Sequence, residues 1–539
     1  MLFILFSLIF YIPIFMGFGN FFTKIFGKIG DGLSLKILSG IFFLATIWTF
    51  LSFFFPLNII VEISTICIGF ASFFYFKNYE NVWVYLEEYK YSTLILVLLI
   101  IFFGSFSPFI LDHFGYYVPT IKWISEVGLV KGISNLDLIL GQMSTWHILQ
   151  AGFSNFTDSF LKINAVVLLV YAIYILEKKT WIHFCLFPVL FFFVQSPSPD
   201  LPAIVFSLMV LQEILLGNKK VAQLFLISIF IFTIKPTLVW LPIFTLFYSI
   251  FYLKVNLKFS IVGVLLFILF LIKNMWTFGY PIFPMTILDL GISWKSNPAL
   301  MQLSSEMAKM KTYDMQFSYS EIQEFTFWGY IEKWFLIGGI KSKMHYLFII
   351  SLIVFSVFTF IKKKKIIYYL WVAIIIKSIF VLLFSAQYRF FIDVFFVIFI
   401  VLFFELKIKK LAIIFSSVLS FCLIVLFTFP KIIQSQIPSF RLGEFFTGFQ
   451  KEQWYQPPEY VWKKSKEYTI GNLTFNIVQN YPFSFDTDLP AISPSYLRDY
   501  LKIGIFPKKI GDNLKQGFIY INLSEKEKVE LKEIIKNQE

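Results

Sequence analysis

The chain is 539 residues long, 58% hydrophobic and only 15% charged, a balance that excludes an ordinary soluble protein of that length and points to a polytopic membrane protein. Its formal net charge of +13 invites a nucleic-acid partner, yet the basic residues come as short clusters, Lys178-Lys179, Lys219-Lys220, Lys362–Lys365 and Lys407–Lys410, set between apolar runs. That pattern marks cytoplasmic loops rather than a nucleic-acid surface, and Cys67, Cys185 and Cys422, all inside apolar runs, indicate neither a disulfide framework nor a cysteine-rich metal site.

The first run, Leu2–Gly17, has no basic leader and no small-residue cleavage site, so it reads as an uncleaved span. A spanning helix needs about 20 mainly apolar residues, which predicts spans near 2–18, 35–55, 57–76, 93–111, 161–177, 180–195, 200–216, 221–234, 236–253, 259–273, 346–361, 366–386, 389–406 and 411–429. The pair around Lys235-Pro236 is one kinked helix or two, and the expected architecture is an all-α bundle of about 12–14 spans. With the lysine clusters in the cytoplasm, alternation puts 112–160, 195–200, 235–236, 274–345, 387–389 and the tail from 430 outside. Within 274–345, the aromatic run Phe325–Gly339 reads as a helix lying in the membrane interface, placed to gate access from the bilayer.

After Pro430 the composition turns polar. Tyr468–Ile477 alternates about Gly471-Asn472, a hairpin signal; Phe518–Leu523 is a further strand; Ser524 with Glu527 forms a capping box before a charged helix. The prediction is therefore a transmembrane domain over 1–429 and a small α+β extracytoplasmic C-terminal domain over 430–539, large enough to hold its own core.

Polar residues at the mouths of spans are costly to keep and call for a reason. Asp112-His113 closes the fourth span, Gln195–Asp200 turns between the sixth and seventh, Lys235-Pro236 lies between the eighth and ninth, Lys273-Asn274 ends the tenth, and Gln387-Tyr388-Arg389 joins the twelfth to the thirteenth. All five fall on the outer side, so residues scattered over the chain converge on one face. An acid beside several fixed cations suits a reaction on a phosphorylated lipid, in which cations hold the phosphate and a carboxylate takes the proton of an attacking hydroxyl. Asp112 is the candidate base; Arg389 would bind phosphate in a fork that lysine cannot reproduce, with Lys235 and Lys273 as point charges and His113 and Asp200 completing the substrate site. The competing reading is that such charges anchor helices at the headgroup layer. His113 and His147 with Asp112 form a weak metal pattern and read more simply as a polar surface loop. Lys377 sits mid-span with no partner legible in the sequence.

The chain resembles the GT-C class of polytopic glycosyltransferases, and within it a group of bacterial membrane proteins. The likeness lies in Asp112–Tyr117 at the start of the first large outer loop and the amphipathic stretch Trp123–Ser144, with Ser196–Pro202, Lys273–Pro284, Tyr388–Phe390 and Phe485–Pro494 adding to it. The resemblance implies a bacterial plasma-membrane enzyme with Asp112 as catalytic base, a polyprenyl-phosphate sugar as donor, and a glycan, lipid or protein as acceptor. It also makes a divalent metal a candidate cofactor, although Asp112 is followed by His113 where many relatives carry a second acid, and Lys273 stands where arginine is expected. Two other functions fit the same outer-face cations: an O-antigen-type polymerase or ligase, and a flippase or transporter of lipid-linked glycans. A transporter is expected to show paired, interrupted helices related by an internal repeat, and no repeat is legible here.

Overall fold

The computed structural model describes residues 1–406, 408–436, 446–458 and 464–538. Helices α1 (Leu2–Phe26), α2 (Leu33–Leu51), α3 (Ile59–Tyr75) and α4 (Asn78–Gly104) open the chain. Their close packing follows from glycine at the crossings. A Cβ added to Gly40 would sit 1.7 Å from the Phe15 carbonyl oxygen, and one on Gly17 would sit 2.1 Å from that of Gly69, so backbone meets backbone. In lipid, where apolar side chains gain nothing by leaving their surroundings, such close approach is what holds helices together. Glu177 fixes the start of α2 by accepting hydrogen bonds from the Leu33 and Ser34 amides at 2.5 and 3.2 Å, a carboxylate placed where the helix dipole favours one.

The segment 112–160 was expected to be amphipathic and on the surface. Instead it folds into the protein as a π turn (His113–Tyr117), α5 (Val118–Glu126), two 3-10 turns and α6 (Thr145–Ala151), with most of its side chains buried. Glu62 of α3 anchors the far end. Its carboxylate, wholly buried, accepts the amides of Asn155, Phe156 and Thr157 at 3.0, 3.0 and 2.6 Å, three donors that would otherwise have no partner in a dry interior.

Next come α7 (Asn164–Lys178), the single turn α8 (Phe187–Leu190), α9 (Asp200–Leu215), α10 (Val221–Ile234), α11 (Trp240–Phe247) and α12 (Ile261–Phe278). The polar stretch that follows holds α13 (Pro298–Thr312), α14 (Tyr319–Gln323) and α15 (Phe327–Phe335). The second half of the bundle is α16 (Gly339–Lys362), α17 (Lys365–Phe384), α18 (Ile392–Phe403), α19 (Lys409–Thr428) and α20 (Pro430–Gln436). Lys235 is extended between α10 and a 3-10 turn, so that pair is two elements and not one kinked helix.

Six helices among the described residues are long and apolar enough to cross a membrane: α1, α2, Leu257–Phe278, α16, α17 and α19. A seventh is added if α3 and α4, bent by 74°, count as one span. This corrects the expected 12–14 spans. At 1.5 Å per residue, the 16 residues of α9 reach only about 24 Å against a hydrocarbon layer of about 30 Å. The run 180–195 breaks into 3-10 and α turns. Hydropathy alone cannot tell an apolar run facing lipid from one wrapped in protein, and α7 and α9 are wrapped.

The two ends of the bundle differ chemically. Lys178, Lys219-Lys220 and Lys362–Lys365 gather at one end; Asp112, Asp200, Lys235 and Arg389 gather at the other. The C-terminal region packs at the acid-bearing end. Strands β1 (Ser465–Ile470) and β2 (Leu473–Val478) pair antiparallel, Ile470 opposite Leu473, across the expected two-residue turn. After α21 (Pro494–Ile503), β3 (Ile505–Lys509) pairs with β4 (Phe518–Asn522). The Ser524–Glu527 capping box starts α22 (Glu525–Lys536). The core of this region is continuous with that of the bundle rather than its own. The Tyr500 hydroxyl donates to the carbonyls of Asn135 and Leu136 at 3.0 and 2.8 Å, and the Phe518 amide donates to Lys131 at 2.9 Å.

Candidate functional site

Asp112 ends the stretch after α4 and starts the π turn that leads into α5. Arg389 lies on a 3-10 turn between α17 and α18. That turn is tied down on its other side: Ser385 Oγ donates to Ala308 at 2.9 Å, the Ala386 amide donates to Thr312 Oγ1 at 3.2 Å, and Trp334 Nε1 donates to the Ala386 carbonyl at 2.9 Å. The result is a contact across 277 positions, Arg389 Nη1 donating to Asp112 Oδ2 at 3.0 Å. Both side chains remain about two-fifths exposed, 43% and 41%. A pair that wet contributes only about 0–1 kcal/mol to stability, so it is not scaffolding.

A second pair lies beside it. Lys235 donates to Asp200, in the first turn of α9, and Ser198 Oγ donates to the same carboxylate at 3.1 Å. The Phe390 ring joins the two pairs, its centroid 5.0 Å from the Arg389 guanidinium and 5.7 Å from Lys235 Nζ, both within cation–π range. A third pair lies deeper. Lys377 meets Asp393, both buried, and Trp240 Nε1 donates to the other Asp393 oxygen at 2.8 Å. This supplies the partner that the sequence did not reveal for Lys377.

Behind Asp112 the wall is polar but uncharged. His113 and His147, expected in a surface loop, are both buried. Burial lowers each imidazole to about 3, helped at His113 by Lys162 and His147 and at His147 by Lys273, so both are neutral. His113 Nδ1 has no hydrogen-bond partner among the described residues, and at His147 the Pro197 backbone pulls the other way without offsetting burial. Tyr116 and Tyr117 pack on the His147 ring, with centroids at 5.0 and 4.7 Å. The Tyr117 phenol is pushed well above its usual range by burial and then by Asp112 and Asp200. The Tyr116-Tyr117 pair is visible in the sequence, but aromatic belts produce the same composition.

Lys273 lies near the end of α12, as expected, but does not join the ion pairs. It is buried, and its Nζ donates to the carbonyls of Gln142 and Met143 at 2.8 and 2.9 Å, closing the end of a 3-10 turn. This is an anchoring role, and the ion-pair cluster consists of Asp112, Arg389, Asp200 and Lys235. Among the described residues no group of three or more His, Cys, Asp or Glu side chains is placed to hold a metal ion.

The C-terminal region covers the turn that carries Asp112. A Cβ on Gly115 would meet the Phe483 ring at 2.7 Å, the Phe114 and Phe485 rings are 5.0 Å apart, and Lys122 bridges Asp486 at 3.1 Å. Ser493 Oγ donates to the buried Asp137 at 2.9 Å.

A family model described as a domain of unknown function, DUF8201, matches residues 1–396. The chain belongs to DUF8201. The matched part of this DUF8201 chain takes in all three ion pairs and ends just inside α18. No curated protein and no solved structure matches it.

Proposed function

We propose that this DUF8201 protein is a GT-C-type glycosyltransferase of the bacterial plasma membrane. It moves a sugar from a polyprenyl-phosphate-type donor to a cell-surface glycan, lipid or protein acceptor at the extracytoplasmic end of its bundle. The observation that supports this reading is the wet Asp112–Arg389 contact, an acid and a forked cation brought together at one end of a membrane-length bundle. In the reaction, the acceptor hydroxyl attacks the anomeric carbon. The new carbon–oxygen bond forms as the bond to the phosphate oxygen breaks, Asp112 takes the hydroxyl proton, and Arg389 and Lys235 receive the charge of the departing phosphate. Donor binding draws Arg389 away from Asp112, so the carboxylate is released only when a phosphate is present. Asp200 holds Lys235 in place, and neutral His113 offers a hydrogen bond without competing for the phosphate.

The test uses the full chain in membrane vesicles with a radiolabelled polyprenyl-phosphate hexose. Asp112→Asn is expected to lower transfer by roughly 10²–10⁴-fold, the size of a lost general base, with donor binding retained. Undiminished transfer by the variant overturns the reading. Movement of the labelled lipid across the vesicle by wild type and variant alike, without transfer by either, replaces it with the transporter class.

A further inference from the structure

The end of the bundle opposite the ion-pair cluster holds four consecutive lysines, Lys362–Lys365, in the tight turn between the membrane-length helices α16 and α17. One carboxylate serves them. Glu405 accepts from Lys362 at 2.9 Å and from Lys364, while Lys363 and Lys365 have no acidic partner among the described residues. Positive charge thus remains in excess at the point where two spans leave the membrane.

Beside these lysines lies an open cavity of about 430 Å³, lined by Phe360, Lys363, Lys364, Lys365, Tyr368 and Tyr369, a volume in the range of small-ligand sites. Its floor includes the start of α17, whose first turn has no side-chain cap and no acidic residue. Unpaired amides and the positive end of the helix dipole there favour an anion. Of its lining, Phe360 is exposed and Tyr368 half-exposed, and Ile361, next to Phe360 in the chain, is exposed as well. Cations, an uncapped helix start and two phenols around a hollow, bordered by lipid-facing side chains, match one chemistry, a phosphate carried on an acyl-chain anchor.

We propose that this cavity binds the phosphate headgroup of an anionic phospholipid, with Lys363 and Lys365 as its charge contacts, Tyr368 and Tyr369 as hydroxyl donors, and the acyl chains against Phe360. The site is separate from the transfer chemistry and stands whether or not that reading holds.

The test is native mass spectrometry of the full chain released from nanodiscs of phosphatidylcholine containing a minor fraction of phosphatidylglycerol. Wild type is expected to retain one phosphatidylglycerol in preference to phosphatidylcholine, and 10-fold or greater loss of that retention is expected for Lys363→Gln/Lys365→Gln, given the contribution of each lysine near a charged surface. Lys219→Gln/Lys220→Gln, which removes two exposed lysines at the same end, is expected to leave retention unchanged. Equal retention by the Lys363/Lys365 variant, equal loss in the Lys219/Lys220 control, or displacement of the lipid by inorganic phosphate overturns the proposal. In the last case the pocket is a site for soluble phosphate. Tyr368→Phe, which alters neither charge nor packing volume, is expected to weaken retention in the same direction; unchanged retention in it removes the hydroxyl from the site.

Discussion

Replacing Lys377 with methionine would leave the Asp393 carboxylate in a dry interior with the Trp240 indole N–H as its remaining partner. Breaking a buried ion pair from one side costs about 3–5 kcal/mol, because the surviving charge is left uncompensated; Asp393→Leu, which strands the ammonium instead, should cost a similar amount. Removing both charges together, Lys377→Met with Asp393→Leu, leaves no stranded ion and only the unpaired Trp240 N–H, worth about 1–3 kcal/mol. The singles therefore sum to about 6–10 kcal/mol while the double costs about 1–3, a coupling of at least ~3 kcal/mol. Denaturant titration of the detergent-solubilised protein, followed by tryptophan fluorescence, measures all four corners of the cycle. Since Lys377 and Asp393 flank the turn that carries Arg389, the singles are also expected to lose transfer activity that the double partly regains. Strictly additive singles, or either single costing under ~1 kcal/mol, would falsify the claim that the pair is dry and mutually dependent.

Glu62→Gln turns one acceptor atom into a donor facing backbone amides, and is expected to destabilise the fold by about 2–4 kcal/mol; faster limited proteolysis around 153–162 is the readout. Gly40→Ala presses a methyl into the Phe15 carbonyl, an atom that cannot swing aside, so a marked drop in melting temperature is expected, and an unchanged one means that α1 and α2 are further apart than described. Burial pushes the Asp137 carboxyl up to about 7 from 3.8. The folded chain then keeps a proton that the unfolded chain gives up, so this contribution to stability is full below about pH 4, declines as pH rises towards 7 and is lost beyond it. Asp137→Asn is expected to flatten the melting temperature across that window relative to wild type, and parallel curves count against the assignment. Arg389→Lys keeps the charge but loses the fork, and a rise in the donor concentration needed for half-maximal transfer, larger than the change in turnover, is expected.

Local chemistry makes several elements legible in the sequence alone. Gly471-Asn472 between alternating residues fixes the β1–β2 turn, and Ser524 with Glu527 marks the first turn of α22, because both signals depend on residues within four positions. The meeting of Asp112 with Arg389 was legible for a different reason, since alternation of apolar runs about the lysine clusters puts both at the same end. Span number was not, because α7, α9 and α10 are as apolar as lipid-facing helices yet are enclosed by protein. Nor were the roles of Lys273 and Lys377. A lysine in an apolar run has the same appearance in sequence whether its ammonium meets carbonyls, as that of Lys273 does, or a carboxylate brought in by another helix, as that of Lys377 does. The interface helix expected at Phe325–Gly339 illustrates a mixed outcome: Phe327 and Trp328 are exposed at 72% and 73%, while Trp334 turns inward to hold the Arg389 turn.

The distance along the chain between Asp112 and Arg389 has a consequence for biogenesis. A ribosome adding about 5–20 residues per second needs roughly 14–55 s to pass from the first to the second, and throughout that interval the nascent polypeptide holds an acid without its guanidinium. Half-inserted intermediates therefore lack this contact, which forms only when the segment bearing Arg389 docks.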